Sequence, residues 1–380
     1  MSHTSIARTT TQQEQLLEAI LLDAARARAA WRAWSAGADL DCLDAGSKRL
    51  LPLLYQRRAD LRLEQPLLDR LRAEYIHTWQ ANQLRLHHLQ QAVAALQDAG
   101  MSVMLLKGAA LLVAHGGDPG LRPMADADLL VPYAMAPRAV DRLSSRGWTP
   151  VGVQPHAQQF THDSGFDLDL HWNVFGHHSG PAIDDPFWQA AERAALFETS
   201  VSVLCPADQL LHTCVHGLIW SPTPALRWIA DAVQLVNRRP DLDWNRVIEQ
   251  AERCRLSLFA ATALRYLRDR FGAAISDETL RRLDATPIAR AERVNFDRQT
   301  ISSNERPLLQ EAAQIWMAYV RWARARQRRM SPVGFTRFLR DRYLLASSLD
   351  LPTYVMARLR HRTPADAGVP SAPDGQGDTA

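Results

Sequence analysis

Lysine is almost missing: only Lys48 and Lys107 occur in 380 residues, against 42 arginines. Positive charge is carried by guanidinium nearly everywhere, so each surviving lysine invites attention as a compact, strongly hydrated point charge. The four cysteines, Cys42, Cys205, Cys214 and Cys254, form no CxxC pair. That excludes a zinc ribbon or a disulfide framework and leaves buried thiols as the expectation. No long apolar run is free of charge; the best, Met101 to Val113, contains Lys107, which argues against a membrane-spanning helix. The opening MSHTSIARTTTQQEQLLEAI lacks an apolar core of signal-peptide type, so a cytoplasmic location is expected. Net charge is only +3, too little to imply nucleic acid or an anionic membrane by itself. With 47% hydrophobic and 22% charged residues, global disorder and collagen-like repeats are excluded, and a soluble chain of one large or two to three ordinary domains is expected.

From Gln12 to about Gln97 apolar residues recur at helical spacing, as in Leu86, Leu89, Val93 and Leu96. At Gly100 the pattern changes: Val103 to Leu106 reads as a buried strand, closed by Lys107 and Gly108 and followed by the helical AALLVAH. The loop GGDPGLRP leads to a second strand, Asp126 to Val131, in which Asp126 and Asp128 share one face and Ala127, Leu129 and Val131 the other. Pro132 ends it. A helix from about Ala136 to Arg146 stops at Gly147, and HAQQFTH and FDLDLHWNV form a hairpin turning at Asp163, Ser164 and Gly165. Its second arm points Asp167, Asp169, His171 and Asn173 one way and Phe166, Leu168, Leu170 and Trp172 the other. Ala207 to Arg360 reads as helical, and Thr363 to Ala380 as a disordered tail. The expected class is α+β: a helical region 1–99, a small α/β core 100–205, a helical domain 206–362 and the tail 363–380.

Two aspartates on one strand face, backed by apolar residues, cost stability unless a cation sits between them or water reaches them. A divalent ion is the natural occupant. Carboxylate oxygens alone favour Mg²⁺ or Mn²⁺, with phosphates and water completing the shell. The bland alternative is a hydrated edge strand. The strand, Lys107, Gly108, helix arrangement upstream presents free backbone N–H groups to phosphate. Downstream, Asp167 and Asp169 offer a further carboxylate for a metal or for taking a proton from an attacking hydroxyl.

At LLKGAALL, DADLLV and DLDLHWNV the chain resembles nucleotidyltransferases of the DNA polymerase β type, and more closely an uncharacterised bacterial nucleotidyltransferase family that joins LKG, an Arg-containing loop, D-x-D-L-L-V and D-L-H-W. The resemblance covers Gly100 to Val174, and the helical C-terminal region loosely. It implies a polymerase β-type core flanked by helical regions, with Asp126 and Asp128 as metal ligands and Asp169 as the third carboxylate, Asp167 being its competitor. One departure is that Ala109 stands where the broader superfamily often has Ser or Gly, and sixteen residues lie between it and Asp126. Lys107, Gly108, Ala109 and Arg122 become nucleotide-binding candidates, and the stretch running from His216 to Arg227 and Asp231 becomes part of the nucleotide cleft.

Each has a plainer reading. Lys107 can be a solvated strand end, Arg122 a loop clasp, His171 a structural histidine, and Arg227 with Asp231 an i,i+4 ion pair. His212 and His216 are four apart but lack the glutamate of a zinc-hydrolase HExxH. RWARARQRR, Arg321 to Arg329, reads as a solvated basic face rather than a nucleic-acid site. The activity expected is metal-dependent transfer of a nucleoside monophosphate from an NTP, ATP foremost, to an unidentified acceptor such as a peptide, sugar or small molecule, with pyrophosphate leaving. The alternatives are a catalytically retired nucleotide-binding scaffold, or an enzyme that nucleotidylates a protein.

Overall fold

The computed structural model describes residues 9–114, 116–153, 156–176, 184–219 and 226–300, and further on 315–316, 319–320, 323, 329–342 and 347. The described residues form a seven-stranded mixed sheet: β1 (Met104–Leu106), β2 (Asp126–Leu130), β3 (Trp148–Val153), β4 (Ala157–His162), β5 (Asp167–His171), β6 (Glu192–Leu196) and β7 (Thr199–Val203). Their order is β3-β4-β5-β2-β1-β7-β6. The β1/β7 and β2/β5 pairs are parallel and the rest antiparallel. The expected hairpin is β4–β5, its turn closed by Gly165 N–H donating to the His162 carbonyl at 2.8 Å, with Gly165 at φ +79°, where a side chain would be strained.

Because side chains alternate along a strand, each face of the sheet has its own core. Leu105, Leu129, Val131, Leu168 and Leu170 pack with Leu86, Leu89 and Val93 of the helix Leu67–Asp98 and with Ala139 and Leu143 of the helix Ala136–Ser144. On the opposite face Met104, Leu106, Leu130 and Phe175 join Leu16 and Leu17 from the N-terminal helix Thr11–Leu21 and Leu210, Leu211, Ile229 and Phe259 from helices beyond residue 205. N-terminal and C-terminal helices therefore bury their apolar stripes in one common core on the face that carries the aspartates.

Helix starts follow capping chemistry: Thr10 and Gln13 form a reciprocal capping box, and Asp23 accepts from Ala25 and Arg26 N–H. Beyond residue 205 the described helices include Pro206–Ile219, Arg227–Arg238, Trp244–Arg253 and Ser257–Phe271. The chain divides into two compact units, Met1–Ser302 and Ser303–Ala380. In the second, Tyr319, Ala323 and Phe338 form a small cluster. Most of the basic segment Arg321 to Arg329 and all of the tail from Thr363 lie outside the described residues. No described helix is long and apolar enough to cross a membrane.

The patterning above yields no strand for β3, β6 or β7. Pro150 and Gly152 break the period of β3, whose pairing with β4 shifts register between them, as a bulge does. The outer strand β6, ERAAL, alternates weakly and exposes Glu192, Arg193 and Ala195.

Candidate functional site

Pairing of β2 with β5 sets Asp126 opposite Asp167 and Asp128 opposite Asp169. Parallel strands in register put all four carboxylates on one sheet face. The antiparallel pair Leu106 and Asp128 then brings the next residue, Lys107, to the same place. Its Nζ lies 2.6 Å from Asp128 Oδ1, and His171 Nε2 donates to the same oxygen at 2.9 Å. Lys107 is itself the first residue of the helix Lys107–Ala114 and has φ +48°. A left-handed lysine is a sparsely populated conformation, held here by the ion pair and by the strand and helix on either side.

Asp128, Asp169 and His171 each offer a ligand atom within 4.8 Å of one another. Three convergent donors suit one divalent ion, so this group could hold a metal. It is mixed, two carboxylates and an imidazole, rather than the all-oxygen set expected, because His171 follows Asp169 by two and shares its face. Asp126 lies on the same face and lines the cleft but is outside that tight group. Asp167, opposite Asp126, is exposed, whereas Asp169 is partly buried beside Asp128.

The charges respond to this crowding. Burial pushes the Asp128 carboxyl up, but Lys107 and the His171 hydrogen bond more than offset it and hold the group below the ordinary carboxylate range. Asp169 is pushed up to about 6 by burial and then by the charge of Asp128. Asp126 is raised by Asp128 and by burial. For Lys107 burial acts downward, and the aspartates outweigh it so that the ammonium is retained.

A cationic wall faces these carboxylates. Asp231 Oδ2 accepts from Arg122 Nε at 3.1 Å and Nη2 at 2.8 Å, and its Oδ1 accepts from Arg227 Nε at 2.9 Å. Arg227 Nη1 also donates to the Leu121 carbonyl at 2.8 Å. The expected i,i+4 pair is thus half of a buried Arg–Asp–Arg cluster. Burial lowers Arg227 to about 10 despite Asp231, and Asp231 is held down by both arginines against its own burial. Arg122 Nη1 occupies the space beside the Gly108 Cα, where a Cβ would collide with it. Gly108 therefore makes room for a guanidinium. Ala109, 1% exposed, packs into the apolar layer behind β1 and presents no side chain to the cleft.

Between the two walls lies a cleft of about 250 Å³ lined by Lys107, Gly108, Arg122, Asp126, Asp128 and Arg227, and also by Arg49, His212, His216 and Trp228. Arg49, which sequence reasoning missed, stands beyond the short helix Ala45–Lys48 and donates to the Pro123 carbonyl at 3.2 Å. Nothing local marks it, since its role depends on packing more than seventy residues away. His212 is buried and His216 partly buried, and desolvation with the nearby Lys107 charge keeps them neutral, His212 at about 3 and His216 well below its usual value. Gly217 leaves space for the Trp228 indole, against which any Cβ would clash.

No curated protein matches this chain. Among solved structures it is similar to an antigenic nucleotidyltransferase-like protein from Paracoccidioides brasiliensis, at 19% identity over 55% of this chain and 95% of that one, with a TM-score of 0.35. The model of a family described as uncharacterised nucleotidyltransferase matches residues 45–272, a span that takes in both walls of the cleft and more than half of the sequence. The chain belongs to this uncharacterised nucleotidyltransferase family.

Proposed function

We propose that the cleft is a polymerase β-type active site that transfers a nucleoside monophosphate from an NTP, ATP foremost, to an acceptor, releasing pyrophosphate. One observation carries this reading: Asp128, which belongs to a group able to hold a metal, and a buried guanidinium cluster line the same small cleft. Asp128 and Asp169, with Asp126 on the same sheet face, would hold Mg²⁺ or Mn²⁺, and His171 would orient Asp128. The ion, when bound, neutralises charge on the phosphates and polarises the phosphorus. Lys107 supplies a point charge at the phosphates, and Arg122 and Arg227, fixed by Asp231, supply oriented N–H groups with Arg49 behind them. Gly108 leaves room for the Arg122 guanidinium beside the helix start. Asp169, pushed up to about 6 by burial and the charge of Asp128, would be the carboxylate that takes the proton of the attacking hydroxyl. Most of the acceleration comes from positioning and charge neutralisation.

The test is incubation of purified protein with each NTP labelled at the α-phosphate, Mg²⁺ and a cell extract supplying acceptors. Transfer of label is expected from wild type and not from Asp128→Asn with an unchanged fold. Label on a small molecule, sugar, peptide or protein identifies the acceptor. Equal turnover in Asp128→Asn refutes the assignment.

A further inference from the structure

The loop that delivers Arg122 to the cleft is gripped by side chains from three other parts of the chain. Asn82 Nδ2 donates to the Pro119 carbonyl and to the Arg122 carbonyl, each at 2.7 Å. Arg227 Nη1 serves the Leu121 carbonyl at 2.8 Å and Arg49 Nη2 the Pro123 carbonyl at 3.2 Å. Asn82 lies midway along the helix Leu67–Asp98 and is 0% exposed, a position where an amide is costly unless its hydrogen bonds offset the burial. Both of its contacts are carbonyl oxygens, which fixes the orientation of the amide, since turned over it would set its own oxygen against two acceptors. Tyr75 stands two turns earlier on the same face of that helix. Its hydroxyl donates to Asp118 Oδ2 at 2.9 Å, Asp118 Oδ1 accepts from the Gly120 N–H at 2.8 Å, and its ring fills the space where a Cβ on Gly120 would fall.

We propose that Asn82, with Tyr75 as a second support, is a positioning residue that holds the 118–122 loop at the place from which Arg122 reaches a phosphate in the cleft. The inference rests on the nucleotidyl-transfer reading. Neither residue lines the cleft; both act through Arg122. Asp231 ties the Arg122 side chain at its tip, and a long flexible stem keeps a charged tip in one place at low cost only when the main chain at its root is fixed as well. Asn82 fixes that root, at the carbonyl of Arg122 itself, and Tyr75 fixes the start of the loop. Truncating Asn82 takes the donor from two carbonyls, so the loop shifts to find others. A displacement on the order of 1 Å at a positioned group can cost on the order of a hundredfold.

The test is a double-mutant cycle on the full-length protein, read by calorimetric titration with each of the four ribonucleoside triphosphates in Mg²⁺. Asn82→Ala is expected to weaken binding of the tightest triphosphate by about tenfold and Tyr75→Phe by about threefold, with the far-ultraviolet circular dichroism unchanged. In an Arg122→Gln background both effects are expected to shrink to within about twofold, because the group that the loop positions is gone. A purely structural role predicts the opposite: the same fold-loss whether or not Arg122 is present. Tyr75→Phe removes a single hydroxyl at the rim and decides the matter alone if Asn82→Ala does not fold. Single variants that bind within about twofold of wild type, or equal fold-losses in both backgrounds, overturn the proposal while leaving nucleotidyl transfer standing. Wild type that binds none of the four triphosphates in Mg²⁺ overturns both.

Discussion

Removing the charge of Asp231 should destabilise the protein far more than an ordinary surface substitution, and an anion should reverse much of the loss. The side chain of Asp231 is 6% exposed and those of Arg227 and Arg122 are 8% and 13% exposed, so water screens the cluster weakly. Charge centres about 4 Å apart attract by ~4 kcal/mol each at an effective dielectric of 20. In Asp231→Asn that attraction disappears, while the cost of burying the carboxylate is recovered and the amide oxygen still accepts one hydrogen bond. Breaking a buried pair from one side typically costs ~3–5 kcal/mol, and here two guanidinium groups, with Arg49 nearby, are left without a counter-charge. For a unit of this size that is a fall in Tm of roughly 10 °C. Thermal and urea unfolding at pH 7 measure it. Pyrophosphate should raise the Tm of Asp231→Asn by more than that of wild type, since the anion replaces the missing charge. A loss below ~1 kcal/mol, the range of a surface ion pair, combined with equal anion effects, would refute the reasoning.

Three further outcomes follow from the same geometry. Lys107→Arg should fold with little change in Tm yet lose at least about tenfold in NTP affinity or rate, because a planar guanidinium does not match the compact ammonium that reaches Asp128; full activity by titration and turnover would make the lysine incidental. In Gly108→Ala the new methyl meets the Arg122 guanidinium, so Arg122 must leave its place, and NTP affinity should fall more than stability does; a crystal structure with Arg122 unmoved would contradict this. The carboxyl of Asp169 titrates at about 6 when folded against an ordinary 3.8. Between those values the folded state keeps a proton that the unfolded state has lost, so metal-free stability falls as pH rises from about 4 to 6. Asp169→Asn should flatten that part of the Tm-against-pH curve, and an unaltered slope would count against the assignment.

Much of the α/β core is legible locally. The two-residue period of DADLLV and DLDLHWNV assigns a face to every residue, and Asp163, Ser164 and Gly165 mark the hairpin. Parallel pairing of β2 with β5 is not legible, because nothing in either segment specifies that a strand forty residues on lies beside it rather than the one that follows. The same holds for the Arg122–Asp231–Arg227 cluster: i,i+4 spacing announces half of it, while Arg122 arrives from a loop over a hundred residues earlier. His212 has a familiar metal-ligand spacing with His216 but no HExxH glutamate, so its spacing marks no zinc site, and its place in the wall of the cleft is a property of packing. Strand β3 was obscured by its own bulge.

Two segments of the form Asp-x-Asp lie side by side in register, and that arrangement bears on how the chain finds its fold. A slip of one residue between β2 and β5 would turn one strand's aspartates into the layer now filled by Leu129 and Leu168 and its leucines into the cleft. Burying such carboxylates without partners would be prohibitive, whereas a slip between two apolar strands would be tolerated. The residues that equip the cleft for chemistry therefore also act as an alignment key for the sheet. Neutralising several of them together should leave a protein that pairs these strands in more than one way, a defect of folding fidelity that would precede, and mask, any loss of catalysis.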